Sequence, residues 1–127
     1  MCGSRSNSTR INFDPMTKIE AIVQPFKLES VIEALTEIGI DGVTITDVRG
    51  FGRQKGHGAV YRGQEYSVDL LHKIKIEVVA HDTDTDPIIA AICSAARTGE
   101  AGDGKIFVHG ISAAIRIRNG QQDEAAL

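Results

Sequence analysis

The chain switches twice between a two-residue and a helical apolar repeat, and this double switch limits its possible folds more than any other feature. Lys18 to Gln24 (KIEAIVQ) alternates and is rich enough in β-branched residues to form a strand, which Pro25 ends. Leu28, Val31, Ile32, Leu35 and Ile38 then recur at helical spacing, and Gly39 is a natural stop. Val43 to Val48 (VTITDV) reads as a second strand, with Val43, Ile45 and Asp47 on one side and Thr44, Thr46 and Val48 on the other. The pattern then repeats. Ile74, Ile76 and Val78 alternate with Lys73, Lys75 and Glu77, and Asp86-Pro87 opens a helix carrying Ile88, Ile89, Ala91, Ile92, Ala95 and Ala96. Pro87 falls near the first helical turn, where its missing N–H costs little. Lys105 to Val108 is the next strand. A last extended piece is expected from Ala113 to Arg118, with Ile115 and Ile117 facing away from Arg116 and Arg118.

Two β-α-β units in tandem predict an α+β, ferredoxin-like β-α-β-β-α-β sandwich with both helices on one sheet face. The opposite face would be bare, and a bare, half-apolar sheet face is ordinarily hidden by association, so a homo-oligomer is expected. The 127 residues suffice for one core. A net charge of -3 exerts no general pull on nucleic acid or lipid, so any anion site must be built from local basic groups. No apolar run approaches the roughly 20 residues that span a bilayer. Residues 1–15 (MCGSRSNSTRINFDP) are polar and lack a secretory apolar stretch, so they are expected to form a disordered extension before a folded unit that starts at Met16. Cys2 lies in this polar tail and Cys93 in an apolar helical pattern, which argues against a disulfide framework and for a reducing, cytoplasmic setting. The four histidines have no metal-ligand spacing.

Between the units lies a stretch that a tidy domain would not need. Residues 50–71 (GFGRQKGHGAVYRGQEYSVDLL) carry five glycines and two tyrosines between strands that a short hairpin could join. Loops this long are uncommon and usually functional. A second glycine-rich stretch, Gly99 to Lys105, spells G-x-x-x-x-G-K, but Ile106 stands where a magnesium-binding hydroxyl would follow. Its order is also inverted, with a helix before and a strand after, which rejects a Walker-type fold. A glycine nest with one ammonium can still hold phosphate in any fold. Period-2 spacing would put Arg116 and Arg118 on one strand face, where two guanidinium forks match phosphate oxygens. With Lys73, Lys75 and Arg53, they point to a polyphosphate site. Arg49-Gly50-Phe51-Gly52 matches the start of the RNA-binding RNP1 motif but continues Arg53-Gln54-Lys55-Gly56, without the required aromatics, so RNA binding is the weaker reading. No H-E-x-x-H or G-x-S-x-G motif is present, and Glu65 and Glu77 have no partner carboxylate in sequence.

The stretches KIEAIVQPFKLESVIEALTEIGI, VRGFGRQKGH, YRGQEYSVD and ARTGEAGDGKIFV…IRIRNG together resemble the PII nitrogen-regulatory signal proteins, over Met16 to about Gly120. The resemblance implies one domain over residues 16–120, followed by a C-terminal tail (121–127), and a homotrimer with nucleotide sites in the clefts between subunits. The family's T-loop would correspond to about 52–71 and its B-loop to about 98–105. The resemblance further implies that ATP or ADP is held by Thr44, Gly50, Gly52, Arg53, Gln54, Glu77, Gly102, Asp103, Gly104 and Lys105, with Arg116 and Arg118 reaching in from the neighbouring subunit. Gln54, Lys55, Gly56 and Lys73 would bind 2-oxoglutarate, and the Gln54 amide would complete a Mg²⁺ shell. That is sensible chemistry for a hard ion bound mainly by substrate oxygens. Implied partners are ammonium transporters, with Arg62 entering the pore, and nitrogen-metabolism enzymes or regulators. They include neither nucleic acid nor any membrane contact except through a transporter. Tyr66 matches a tyrosine that some relatives uridylylate. Gln64, Gly58-Ala59-Val60, His72 and Ala101 depart from the family pattern without removing an implied ligand. On this reading the chain is a non-catalytic sensor, with a slow ATPase using the same cleft as the alternative.

Overall fold

A computed structural model of the chain describes residues 15–51 and 70–127. Its elements, in order, are β1 (Met16–Val23), α1 (Leu28–Glu37), β2 (Thr44–Gly50), β3 (Leu71–His81), α2 (Thr85–Ala96) and β4 (Gly104–Ile111). The sheet order is β2-β3-β1-β4 and every neighbouring pair is antiparallel, which is the ferredoxin-like arrangement expected from the two tandem units.

Alternation decides which residues meet. Ile19, Ala21 and Val23 of β1 and Ile74, Ile76, Val78 and Ala80 of β3 point to one face, where Val31 and Leu35 of α1 and Ile88, Ile89, Ile92 and Ala96 of α2 close over them. Pro25 starts a single 3-10 turn (Pro25–Lys27) that swings the chain from β1 into α1. The helix ends in a Schellman motif: Gly39 N–H donates to the Thr36 carbonyl at 3.0 Å and Ile40 N–H to the Leu35 carbonyl at 2.9 Å. Gly39 has φ +94°, a left-handed conformation that a side chain would resist.

The other sheet face is open and more polar than expected. Lys18 pairs with Glu77 at 3.3 Å, and Glu20 lies between Lys75 at 3.9 Å and His109 at 3.4 Å. Glu77 is therefore ion-paired to a lysine. Phe107, at 47% exposure, and Val79 are exposed large apolar side chains on this face.

Two expectations need correcting. No strand runs from Ala113 to Arg118: Ile115 forms an isolated bridge with Gln122, and Arg118 lies in a turn closed by Gly120 N–H donating to the Arg116 carbonyl at 2.8 Å. Arg116 and Arg118 therefore do not share a strand face. Cys93 is disulfide-bonded rather than a free thiol, against the reading from composition, and the chain's other cysteine, Cys2, lies outside the described residues. No helix among the described residues is long and apolar enough to cross a membrane.

Candidate functional site

The glycine-lysine stretch forms a compact loop between α2 and β4, and its own side chains build it. The Asp103 carboxylate accepts from Thr98 N–H at 2.8 Å, Thr98 Oγ1 at 2.5 Å and Gly99 N–H at 2.8 Å. Glu100 N–H donates to Thr98 Oγ1 at 3.1 Å. The Thr98 hydroxyl and the Thr98 and Gly99 amides hold the Asp103 carboxyl below its ordinary value of 3.8, with the Lys27 ammonium adding a smaller pull. The carboxylate is thus a staple inside the loop. What Asp103 can offer an anion is its amide, which takes no part in these bonds, like those of Ala101 and Gly102.

Gly104 fixes where the loop meets the sheet. It lies opposite Val23 in the β1–β4 ladder, with φ +109°. A Cβ there would sit 1.8 Å from the Ile22 carbonyl oxygen, so only glycine lets the two backbones approach this closely. The next residue, Lys105, opposes Ile22 and faces the open side of the sheet. From β3, the Lys73 ammonium donates to the Gly102 carbonyl at 2.9 Å, tying the loop to the strand that follows residues 52–69.

The ladder brings other expected residues to the same face. Thr44 of β2 opposes Glu77 of β3, which opposes Glu20 of β1. One row along, Thr46, Lys75, Ile22 and Lys105 cross all four strands in register. Gly50 opposes Leu71 at the base of the long connection, and a Cβ on it would touch Lys73 Cγ at 4.0 Å. Thr44, Gly50, Lys73, Glu77, Gly102, Asp103, Gly104 and Lys105 thus lie on the open face or at the B-loop end of it. Their carbonyl, amide and ammonium groups suit a phosphate or carboxylate ligand. Gly52, Arg53, Gln54, Lys55, Gly56, Arg62 and Tyr66 lie outside the described residues, as do Gly58-Ala59-Val60 and Gln64.

Arg116 is elsewhere. Strand β4 carries the chain away from the loop to its far end at Ile111, opposite Met16, and eight residues span about 23 Å. There the C-terminal turn (Asp123–Ala126) lies by His81, whose Nδ1 is 4.0 Å from the Glu124 carboxylate. Arg116 is bound to this terminal unit: its N–H donates to the Gln121 carbonyl at 2.8 Å and its guanidinium to the Leu127 carbonyl at 3.1 Å. Ile117 beside it is 97% exposed. Within one chain, the glycine-lysine loop and the arginines sit at opposite ends of the sheet.

Sequence reasoning missed the loop staple, because Asp103 reaches back five residues to Thr98, outside the two-residue spacing of ordinary Asx and ST turns. Among the described residues, no group of three or more His, Cys, Asp or Glu side chains could hold a metal.

Comparison with known proteins gives a consistent set of relatives. The family model described as nitrogen regulatory protein P-II matches residues 16–121. The chain is 58% identical over 112 residues to nitrogen regulatory protein P-II of Haemophilus influenzae, spanning 88% of this chain and 100% of that protein. It is 55% identical, with the same coverage, to nitrogen regulatory protein P-II 1 of Escherichia coli K12. Among solved structures it is similar to Arabidopsis thaliana PII bound to citrate, with a TM-score of 0.78 at 40% identity over 95% of this chain and 100% of that one. It is also similar to Bacillus subtilis GlnK, with a TM-score of 0.74 at 36% identity over 88% of this chain and 98% of that one.

Proposed function

The chain belongs to the nitrogen regulatory protein P-II family, and from that premise we propose a homotrimeric, non-catalytic sensor whose inter-subunit clefts bind ATP or ADP and 2-oxoglutarate. One observation carries this reading: the loop ending in Lys105 and the arginine-bearing terminal unit are a sheet's length apart in one chain. A phosphate site that uses both needs two chains, and the open sheet face supplies the surface for association.

Gly102, Asp103 and Gly104 would offer backbone amides to the phosphates and Lys105 its ammonium, with Arg116 and Arg118 of a neighbouring protomer closing the far side. Thr44, Gly50 and Glu77 line the same face, and Gly52, Arg53 and Gln54 would complete the site from the T-loop. Gln54, Lys55, Gly56 and Lys73 would hold 2-oxoglutarate. Mg²⁺ would supply charge neutralisation between phosphate and 2-oxoglutarate oxygens, with the Gln54 amide as its protein ligand. The relative solved with citrate lends support, since citrate is itself a small polycarboxylate. Bound effectors that favour different T-loop arrangements would change the surface shown to partners, an ammonium transporter through Arg62 among them. Tyr66 is the candidate modification site.

Calorimetry tests the reading. 2-Oxoglutarate should bind when Mg-ATP is present and not without it, and Gln54→Ala should abolish that binding while largely sparing ATP. Tight 2-oxoglutarate binding to the nucleotide-free protein would refute the scheme. Phosphate release that is well above background and lost in Lys105→Ala would favour an ATPase instead.

A further inference from the structure

Helix α2 and strand β4 leave an apolar groove of about 380 Å³ between them, at the end of the sheet where Val23 opposes Gly104. Ile89, Ile92 and Ala96 form its helical wall and Ile106 and Val108 its strand wall, and Val108 remains 38% exposed. Gly104 and Lys105 also line it, so the groove adjoins the glycine-lysine loop. An apolar cavity of about 150 Å³ already accepts a benzene ring, so this one has room for a branched aliphatic side chain.

The matching part stands at the other end of the sheet. Arg116 to Gly120 form a turn in which Gly120 N–H donates to the Arg116 carbonyl at 2.8 Å and Gln121 N–H to the Asn119 side-chain oxygen at 3.0 Å. Arg116 N–H donates to the Gln121 carbonyl at 2.8 Å and Ile115 bridges Gln122, so this turn is the tip of a hydrogen-bonded hook. Turn tips are ordinarily polar. Ile117 nonetheless stands on this one at 97% exposure, with Arg116 and Arg118 on either side of it in sequence. An apolar side chain on a tip that is already ordered loses little freedom when it is buried.

We infer that Ile117 of one protomer is seated in the α2–β4 groove of its neighbour, and that this contact positions Arg116 and Arg118 beside the neighbour's glycine-lysine loop. The inference rests on the trimeric, nucleotide-binding reading above and names the contact that assembles its site. A chain cannot fill its own groove. Its hook is fixed at the far end of β4, about 23 Å from Gly104. Seating Ile117 removes its apolar surface from water. It also brings two guanidinium groups toward the Lys105 ammonium, and these repel one another until an anion lies between them. Docking of the hook and binding of a polyphosphate therefore strengthen each other.

Photo-crosslinking tests the contact. Full-length chain carrying Ile117→p-benzoylphenylalanine is unfolded and refolded with an equal amount of isotope-labelled parent chain, irradiated with Mg-ATP, digested and mapped by mass spectrometry. The expected products join position 117 to peptides covering 89–96 or 104–108 of a second chain. Products within one chain or on any other surface of a trimer, or no products, would overturn the docking and leave the trimeric reading standing. Sedimentation as single chains would overturn both. Crosslinks as expected in a protein that binds no ATP would support the docking and refute the nucleotide reading. In calorimetry, Ile117→Asp should weaken ATP binding about 10–100-fold, as loss of a buried branched aliphatic side chain implies, while Ile117→Leu keeps the parental affinity. Ile117 is almost wholly exposed in its own chain, so neither change disturbs the fold. Parental ATP affinity in Ile117→Asp would overturn the positioning role.

Discussion

Replacing Gly104 with alanine tests whether the approach of β4 to β1 sets the position of the loop. The added Cβ would lie 1.8 Å from the Ile22 carbonyl oxygen and must move beyond 3.0 Å, and the obstacle is backbone rather than a yielding side chain. The residue also holds φ +109°. Overpacking of this kind costs about 1–3 kcal/mol and a left-handed alanine about 1–2, so a total of about 2–5 kcal/mol is expected. In urea that lowers the unfolding midpoint by about 1–2 M at fixed protomer concentration. The shift also carries Lys105 and the Gly102 to Gly104 amides away from their places, by enough to break a hydrogen bond. Losing one charge-assisted contact, worth about 1.5–3 kcal/mol, should weaken ATP binding about 10–100-fold in calorimetry. A Gly104→Ala protein within about 0.5 kcal/mol of the parent, binding ATP equally well, would refute the reasoning.

Gly39→Ala is the matched comparison, because φ is +94° there but nothing lies within 4 Å of the added Cβ. It should cost only the conformational term, about 1–2 kcal/mol in urea unfolding, and leave ATP affinity unchanged. The Asp103 carboxyl should titrate below 3.8 when followed by carboxyl-carbon NMR. Its folded value is depressed, so its contribution to the loop is present above the unfolded value and is lost as pH falls through the folded one. Exchange of the Thr98 and Gly99 amides should quicken over that acid range. Thr98→Ala removes the largest cause and should move the titration up toward 3.8.

The fold was legible because alternation and helical spacing occupy separate stretches, and the core follows from them. Strand ends were less so. β3 runs on through Val79, Ala80 and His81, where apolar Val79 falls on the open face and breaks the alternation. The C-terminal error has a local cause. Asn119-Gly120 is a turn signal, and it prevails over the alternation of Ile115, Arg116, Ile117 and Arg118. Arg116 bonds to Gln121 and Leu127 instead of to a neighbouring strand. The loop was visible as glycines and a lysine, with Asp103 expected among the groups that hold phosphate, but its carboxylate turns inward. Only the bonds to Thr98 and Gly99 show what it does. Least legible was the distance between Lys105 and Arg116, close in sequence but separated by the length of β4.

That separation gives the most direct test of a shared site. Lys105→Ala chains and Arg116→Ala/Arg118→Ala chains should each fail to bind ATP, then be unfolded together in equal amounts and refolded as mixed trimers. If each site takes its lysine from one protomer and its arginines from the next, about one quarter of the sites become intact, and calorimetry should recover that fraction at parental affinity. Recovery of no sites from the mixture would contradict the account.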